Sequence, residues 1–298
     1  MIDSYMWGSI KRQSPEAPIP IVNIKKHEKR LGGAANVASQ IKALGATPIL
    51  CSVIGYKDEG FFDLMDRANL TTEGILKEDR KTTIKTRIIS EDKHQLRLDE
   101  EDIHPIINES DFIKKSTDLM NKVDVVIFQD YNKGVLTKNV ISSLLKFAKT
   151  HQIPILVDPK KENYWQYKGV NIFKPNIKEL IESSSEIIEP IDENLSKIVS
   201  NQRKKLNVEL FLLTLSEKGV YIKSKKNEKH FPAYKRKIVD VSGAGDAVIA
   251  TAALSLAKKL DFNLLAQFCN LAGGLSCEKI GVNQIDKKRL LNEAIRLI

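Results

Sequence analysis

Cysteine is scarce in this chain: Cys51, Cys269 and Cys277 are the only three among 298 residues, and no two form a C-x-x-C pair. Three thiols cannot all pair with one another. That excludes a disulfide scaffold and a cysteine zinc site, and it points to a reducing compartment, the cytoplasm. The five histidines are scattered without metal-ligand spacing. No apolar run reaches the ~20 residues that a membrane-spanning helix needs, and the opening Met1-Ile2-Asp3-Ser4-Tyr5-Met6-Trp7 is no signal peptide. Repeats, low-complexity tracts and a G-x-x-x-x-G-K-[ST] phosphate loop are missing as well. The net charge of +9 favours anionic partners such as nucleotides and sugar phosphates. Its lysines are dispersed and no nucleic-acid-binding signature accompanies them, so neither nucleic acid nor membrane is an expected partner.

What is present suits a soluble α/β protein. Hydrophobic residues make up 42% and charged residues 29%, enough apolar material over this length for one large core. The prolines at 15, 18 and 20 exclude a helix and permit an extended or edge strand. Residues 31–44 read as a helix behind Gly32-Gly33, and 48–53 as a buried strand. From 110 onward helices alternate with continuous apolar strands at 123–128, 153–157, 170–173 and 208–215, the rhythm of a parallel sheet. Between these parts, 82–89 and 95–99 alternate polar and apolar, with a turn at 91–93. They predict an accessory sheet with one face open to solvent or ligand. The expected organisation is one domain over 1–298 with lid segments at about 9–31 and 71–100.

The segment Asp240-Val241-Ser242-Gly243-Ala244-Gly245-Asp246 carries the most chemistry. Its closely spaced glycines precede an apolar run of helical length, so they form the first turn of a helix. A helix start offers free N–H groups and a positive dipole end, which suit a phosphate. Asp246 is then a second negative charge at an anion site, a position that fits a general base taking a proton from an attacking hydroxyl. A glycine-rich turn stabilised by an aspartate explains the segment alone equally well. Further polar clusters follow the predicted strands: 129–134, 158–161, 174–179 and 214–219. In an open parallel sheet, ligands bind at those carboxyl ends.

This arrangement resembles the ribokinase-like (phosphofructokinase-B type) carbohydrate kinases. Gly32-Gly33-Ala34-Ala35-Asn36-Val37-Ala38 matches the early glycine pair and asparagine of that family. The segment 240–246 matches its late signature, with Ser242 where threonine is commoner, and Asn176 with Glu179 matches its Asn-x-x-Glu pattern. A narrower resemblance, to D-glycero-β-D-manno-heptose 7-phosphate kinases, rests on Asp3 to Gly8, Ser14 to Pro20, Lys85-Thr86-Arg87, Gln95 to Asp99, Asp130 to Gly134 and Asp158-Pro159-Lys160. The resemblance implies a three-layer α/β sandwich with a mostly parallel sheet and a small β lid. It implies ATP-dependent phosphorylation of the C1 hydroxyl of a heptose 7-phosphate with Mg²⁺, on the way to lipopolysaccharide. A kinase for another sugar or sugar phosphate is the alternative, as is a catalytically weak binding relative. No His-x-Gly-His nucleotidyltransferase motif is present, so the kinase-only form is expected. The family also places an apolar strand ending in Gly-Asp ahead of Asp3, central in the sheet, so a start upstream of Met1 and weak activity without that strand are expected.

By the same resemblance, Asp246 is the base, and the N–H groups of Gly243, Ala244 and Gly245 hold the phosphoryl oxygens. Asn176 and Glu179 place Mg²⁺. Lys160, Ser216, Gly219 and Asn270 join Asn176, Gly243 and Gly245 around the nucleotide. Asp3, Gly32, Gly33 and Asn36 meet the sugar, and Lys85, Arg87, Arg97 and Lys133 grip its phosphate. Exposed edges of the accessory sheet lead to an expected homodimer through the lid.

Overall fold

Alternation within short buried strands decides how the layers assemble. The computed structural model describes residues 1–184 and 193–298. Its chain opens with two long strands, β1 (Ile2–Gln13) and β2 (Pro20–Leu31), paired as an antiparallel hairpin whose turn carries Pro15 and Pro18. Helix α1 (Ala34–Ala43) starts at Gly33, whose φ of 57° favours glycine. Strand β3 (Ser52–Gly55), helix α2 (Phe61–Arg67) and strand β4 (Ile75–Glu78) follow, and β3 pairs with β4 in parallel. β5 (Ile84–Ser90) and β6 (Lys93–Glu100) make a second hairpin, with Glu91 and Asp92 at φ 51° and 59° in its turn. The second half contains α3 (Glu109–Met120), β7 (Val126–Gln129), α4 (Lys138–Thr150), β8 (Ile155–Asp158), β9 (Ile172–Phe173), α5 (Ile177–Glu182) and α6 (Glu193–Leu206). It ends with β10 (Leu210–Thr214), β11 (Val220–Lys223), β12 (Glu228–Phe231), α7 (Ala244–Ala257), α8 (Phe262–Ser276) and α9 (Lys287–Leu297).

β12-β11-β10-β9-β8-β7 form the main sheet, parallel from β10 to β7 and antiparallel at the β11–β12 edge. Ile155, Val157, Phe211 and Leu213 pack on one face with Val140, Ile141 and Leu144 of α4 and Ile198 and Val199 of α6. Leu156, Leu210 and Leu212 face the other way, against Val37 of α1, Ile249 and Ala252 of α7 and Leu265 of α8. Successive residues of one strand thus feed both helical layers, which is why these runs are apolar throughout. All three cysteines are unpaired thiols.

β2-β1-β5-β6 form a separate four-stranded sheet, in which β1 runs parallel to β5. Its first strand starts at Ile2, well ahead of residue 9, and residues 75–78 belong not to it but to the β3–β4 pair. Contiguity in sequence hid that difference, because parallel pairing of β3 with β4 needs a crossover through α2.

β7 and β3 are edge strands of two separate sheets. β7 bonds β8 on one side, β3 bonds β4 on one side, and neither pairs with another described strand. Val126 N–H donates to Pro154 O and Asp130 N–H to Asp158 O, so the N–H groups of Ile127 and Gln129 face away from β8. Ser52 and Tyr56 likewise donate toward the β4 side, which turns Val53 N–H away. The loops after β4 and β7 meet, Arg80 donating to Lys133 O at 2.8 Å, so β3 and β7 point the same way. A cavity of about 830 Å³ lies between them, lined by Ala38, Val53, Val126, Phe128, Leu144 and Ala253 among others. Met1 also lines the cavity, and burial pushes its amino group down to about 6 against the opposing charge of Asp3.

Candidate active site

The carboxyl ends of β7, β8 and β9 and the start of α7 converge on one carboxylate. Gly243 sits at φ 82°, a left-handed conformation that lets the chain turn into α7. A Cβ there would also lie 3.2 Å from Val282 Cγ1 and 3.3 Å from Asn36 Nδ2. The turn before it is pinned by Asp240, whose carboxylate accepts from Ser242 N–H at 2.9 Å and Gly281 N–H at 2.7 Å. His94, at the tip of the β5–β6 hairpin, approaches the same carboxylate at 3.3 Å.

Asp246 lies in the first turn of α7, buried. Asn36 Nδ2 donates to its Oδ2 at 2.7 Å, and the Tyr131 hydroxyl donates to its Oδ1 at 2.8 Å. Burial is the largest influence on this carboxyl. It outweighs the two hydrogen bonds and raises the pKa to about 6. A carboxylate raised toward neutrality and held against two donors is suited to receive a proton. Ala244 N–H is occupied by Val241 O at 3.2 Å, whereas those of Gly243 and Gly245 have no backbone acceptor among the described residues. Of the three amides expected to face an anion, two are open to one.

Behind this turn, Gln129 Nε2 donates to Asp158 Oδ2 at 3.1 Å, and Lys174 Nζ lies 3.0 Å from the same oxygen. The side-chain amide oxygen of Gln129 is buried with no partner among the described residues. Tyr131, Gln129, Asp158 and Lys174 were visible in the sequence as members of polar clusters at strand ends. Nothing in the sequence showed which members turn inward.

Asn176 and Glu179 form a reciprocal cap on α5: Asn176 Oδ1 accepts from Glu179 N–H, and Glu179 Oε2 accepts from Asn176 N–H, both at 2.9 Å. Lys160 donates to the other oxygen of Glu179. Burial is the main reason that the Glu179 carboxyl is raised, with Asp158 adding to it and Lys160 opposing. The described residues contain no cluster of three or more histidine, cysteine or carboxylate groups arranged around a metal. Glu179 is a carboxylate that could meet a Mg²⁺ held mainly by nucleotide and water, since Mg²⁺ retains several waters.

Ser216 and Gly219 lie on the turn after β10, with positive φ of 53° and 94°. Gly219 packs directly on the Phe231–Ala233 backbone, and Asn270 Nδ2 donates to Pro232 O at 2.8 Å. Gly219 and Asn270 therefore meet at the end of β12, and Ser216 is tied to Gly219, whose N–H donates to Ser216 O at 3.1 Å. On the sugar side, Asp3 is buried against Gly32, where a side chain would collide with its carboxylate, and Arg87 donates to it. Gly33 abuts Tyr131 and Met1. Lys85 and Lys133 share Glu101 at 3.1 and 2.5 Å, and Lys85 and Arg97 share Asp99 at 2.6 and 2.9 Å. Burial alone would raise Glu101, but the hydrogen bonds from Lys133 and Lys85 outweigh it and hold its carboxyl below the usual range. The four cations thus stand in one region, Arg87 on Asp3 and the others linked through Glu101 and Asp99.

Comparison with known proteins decides the kind of molecule. Residues 5–289 match the family described as pfkB family carbohydrate kinase. The chain belongs to the pfkB family of carbohydrate kinases. It is similar to the bifunctional protein HldE of Pelobacter propionicus, at 35% identity over 98% of this chain and 61% of that protein. Similarity to the HldE of Campylobacter fetus is 37% over 94% of this chain and 62% of the relative. The chain therefore spans about three fifths of the length of these curated relatives. Among solved structures, phosphofructokinase-2 from Escherichia coli in complex with potassium aligns with a TM-score of 0.83 at 17% identity, covering 99% of this chain and 96% of the other. Ribokinase from Thermotoga maritima aligns at 0.72 and 17% identity with the same coverage. The pfkB-family fold is ribokinase-like, and the α7 turn and Asn36 stand side by side in it. No helix among the described residues is long and apolar enough to cross a membrane.

Proposed function

We propose that this pfkB-family kinase transfers the terminal phosphoryl group of ATP to the C1 hydroxyl of D-glycero-β-D-manno-heptose 7-phosphate. The observation that carries the reading is Asp246, a buried carboxylate with a pKa near 6 beside two open amides. It takes the hydroxyl proton as the sugar oxygen attacks phosphorus. Gly243 and Gly245 N–H groups hold the phosphoryl oxygens, and Asn36 keeps the carboxylate turned toward the acceptor. Glu179 would face a Mg²⁺ bound with the nucleotide, an ion that would supply neutralisation of phosphate charge there. Ser216, Gly219 and Asn270 shape the nucleotide end, together with Lys160.

Two findings support a substrate that already carries a phosphate. The first is the similarity to HldE proteins. The second is the group formed by Lys85, Arg87, Arg97 and Lys133, whose carboxylate partners an incoming phosphate would replace. The four-stranded sheet serves as the lid that brings them down on the substrate. β6 is exposed along its whole length with Leu96 and Leu98 uncovered, which supports a homodimer formed through this sheet. The reaction belongs in the cytoplasm, where ATP is available.

The test is incubation with ATP, Mg²⁺ and heptose 7-phosphate, with formation of the 1,7-bisphosphate followed by mass spectrometry. It is run on the chain and on the chain preceded by an apolar strand ending in Gly-Asp. Bisphosphate from either protein supports the reading. Turnover of fructose 6-phosphate or another sugar in its place overturns the substrate, and no turnover of any sugar by either protein overturns the activity.

A further inference from the structure

One charged side chain without an assigned role is as buried as the core. Lys174, just after β9, is 2% exposed. The other lysines near this edge are far more open: the Lys160 side chain is 37% exposed on Glu179, and the Lys178 side chain is 81% exposed. An ammonium withdrawn from water to this degree is strongly unfavourable unless it is paired. Lys174 Nζ lies 3.0 Å from Asp158 Oδ2, and an ammonium carries three N–H donors.

The pair lies against the start of α7. A Cβ built on Gly245 would be 3.7 Å from Lys174 Nζ and 3.8 Å from Asp158 Oδ2. Gly245 supplies one of the two open amides, so the ammonium stands beside the same anion position. Its charge also reaches Asp246, lowering that carboxyl's proton affinity while Asp158 raises it.

Resting on the kinase reading, we infer that Lys174 is a catalytic residue whose ammonium binds an oxygen of the phosphoryl group in transfer, with Asp158 positioning it. In the step, the sugar oxygen forms a new bond to phosphorus as the bond from phosphorus to the departing ADP oxygen breaks. The bonding pair leaves with ADP, and the hydroxyl proton passes to Asp246. The oxygens of the moving group carry negative charge throughout. Two amide dipoles face that charge with partial charges only, and Lys174 adds a full one.

The competing role is a strut between β8 and β9, and the test separates the two. Lys174→Met, Lys174→Arg and Asp158→Asn are compared with the wild-type chain for kcat, KM for ATP, the pH profile, and affinity for ADP alone and for ADP with tetrafluoroaluminate and Mg²⁺. Lys174→Met is expected to lower kcat roughly 100- to 1,000-fold. Affinity for ADP–tetrafluoroaluminate falls by a similar factor, while affinity for ADP alone changes less than about threefold. Its acid limb moves to higher pH, because a cation that favoured ionised Asp246 is gone. Lys174→Arg recovers part of kcat. A strut predicts a lower melting temperature with kcat and analogue affinity retained in the folded fraction, and that result overturns the proposal.

Should Lys174→Met fail to fold, Asp158→Asn decides. The positioning role predicts a loss of about tenfold in kcat and an acid limb moved to lower pH, and unchanged kcat overturns it. If neither the wild-type chain nor the chain preceded by an apolar strand turns over any sugar, the kinase reading fails. The analogue-binding comparison then still decides whether Lys174 contacts a phosphoryl-like anion.

Discussion

The Asp246 cradle and the slot between β7 and β3 are neighbours built to opposite standards. Around Asp246, side chains from four parts of the chain meet their partners within hydrogen-bond distance. Along the slot, the backbone edges of β7 and β3 face a cavity of about 830 Å³. Tyr131 and Gln129 belong to both, lining the slot and donating to Asp246 at 2.8 and 3.5 Å. The difference shows that a polar cluster can close on its own side chains, whereas a strand edge needs another strand. Two of the groups that hold Asp246 therefore lean on an unpaired strand edge.

Removing the base is the largest test of the built side. Asp246→Asn should lower turnover about 1,000-fold and leave nucleotide affinity within about twofold; turnover close to wild type removes the base from the account. The same carboxyl sets the pH response. Asp246 acts only when ionised, so below about pH 6 kcat/KM should fall roughly tenfold per pH unit, and above it the profile should flatten. A profile flat down to pH 5, with no break near 6, contradicts the burial-raised carboxyl.

Native-state hydrogen exchange measures the other side. Ile127 and Gln129 amides should exchange on the order of 100-fold faster than those of Val157 and Leu212 in the middle of the sheet. Equal protection would mean that the two regions are equally well held. A smaller effect concerns the phosphate grip. Lys85→Ala combined with Lys133→Ala should raise KM for the phosphorylated sugar about tenfold, or about 1.4 kcal/mol, with kcat nearly unchanged; a matching loss on an unphosphorylated sugar refutes a phosphate contact. The smallest is Ala38→Leu, which places apolar atoms in the slot. It should stabilise by about 1 kcal/mol and raise Tm by about 2 °C, and destabilisation would show that the cavity has no room for them.

Much of this was legible because the signals were local. Gly243, Ala244 and Gly245 before an apolar run declared the helix start. The 91–93 turn declared the β5–β6 hairpin through residues that accept positive φ. Lys174 was not legible. It belongs to a cluster that also contains Lys178, and only packing against Gly245 separates the buried ammonium from the exposed one. The membership of residues 75–78 was equally hidden, since their parallel partner β3 lies across α2. Ala244 shows a finer limit: its amide is in the expected turn, yet Val241 O already occupies it.

The contact of His94 with Asp240 joins the β5–β6 hairpin to the turn before α7 through one carboxylate. Asp240 fixes the turn that presents Gly243 and Gly245, and His94 rides on the hairpin that carries Lys85, Arg87 and Arg97. Any sugar phosphate that alters the position of that hairpin also alters the strength of this contact, and with it the free energy of the turn. The effect is reciprocal by thermodynamic necessity: a nucleotide that orders the turn must favour the hairpin position that keeps the contact, by the same coupling energy. On the proposed reading, the mutual affinity of sugar phosphate and nucleotide depends partly on a single histidine–aspartate contact.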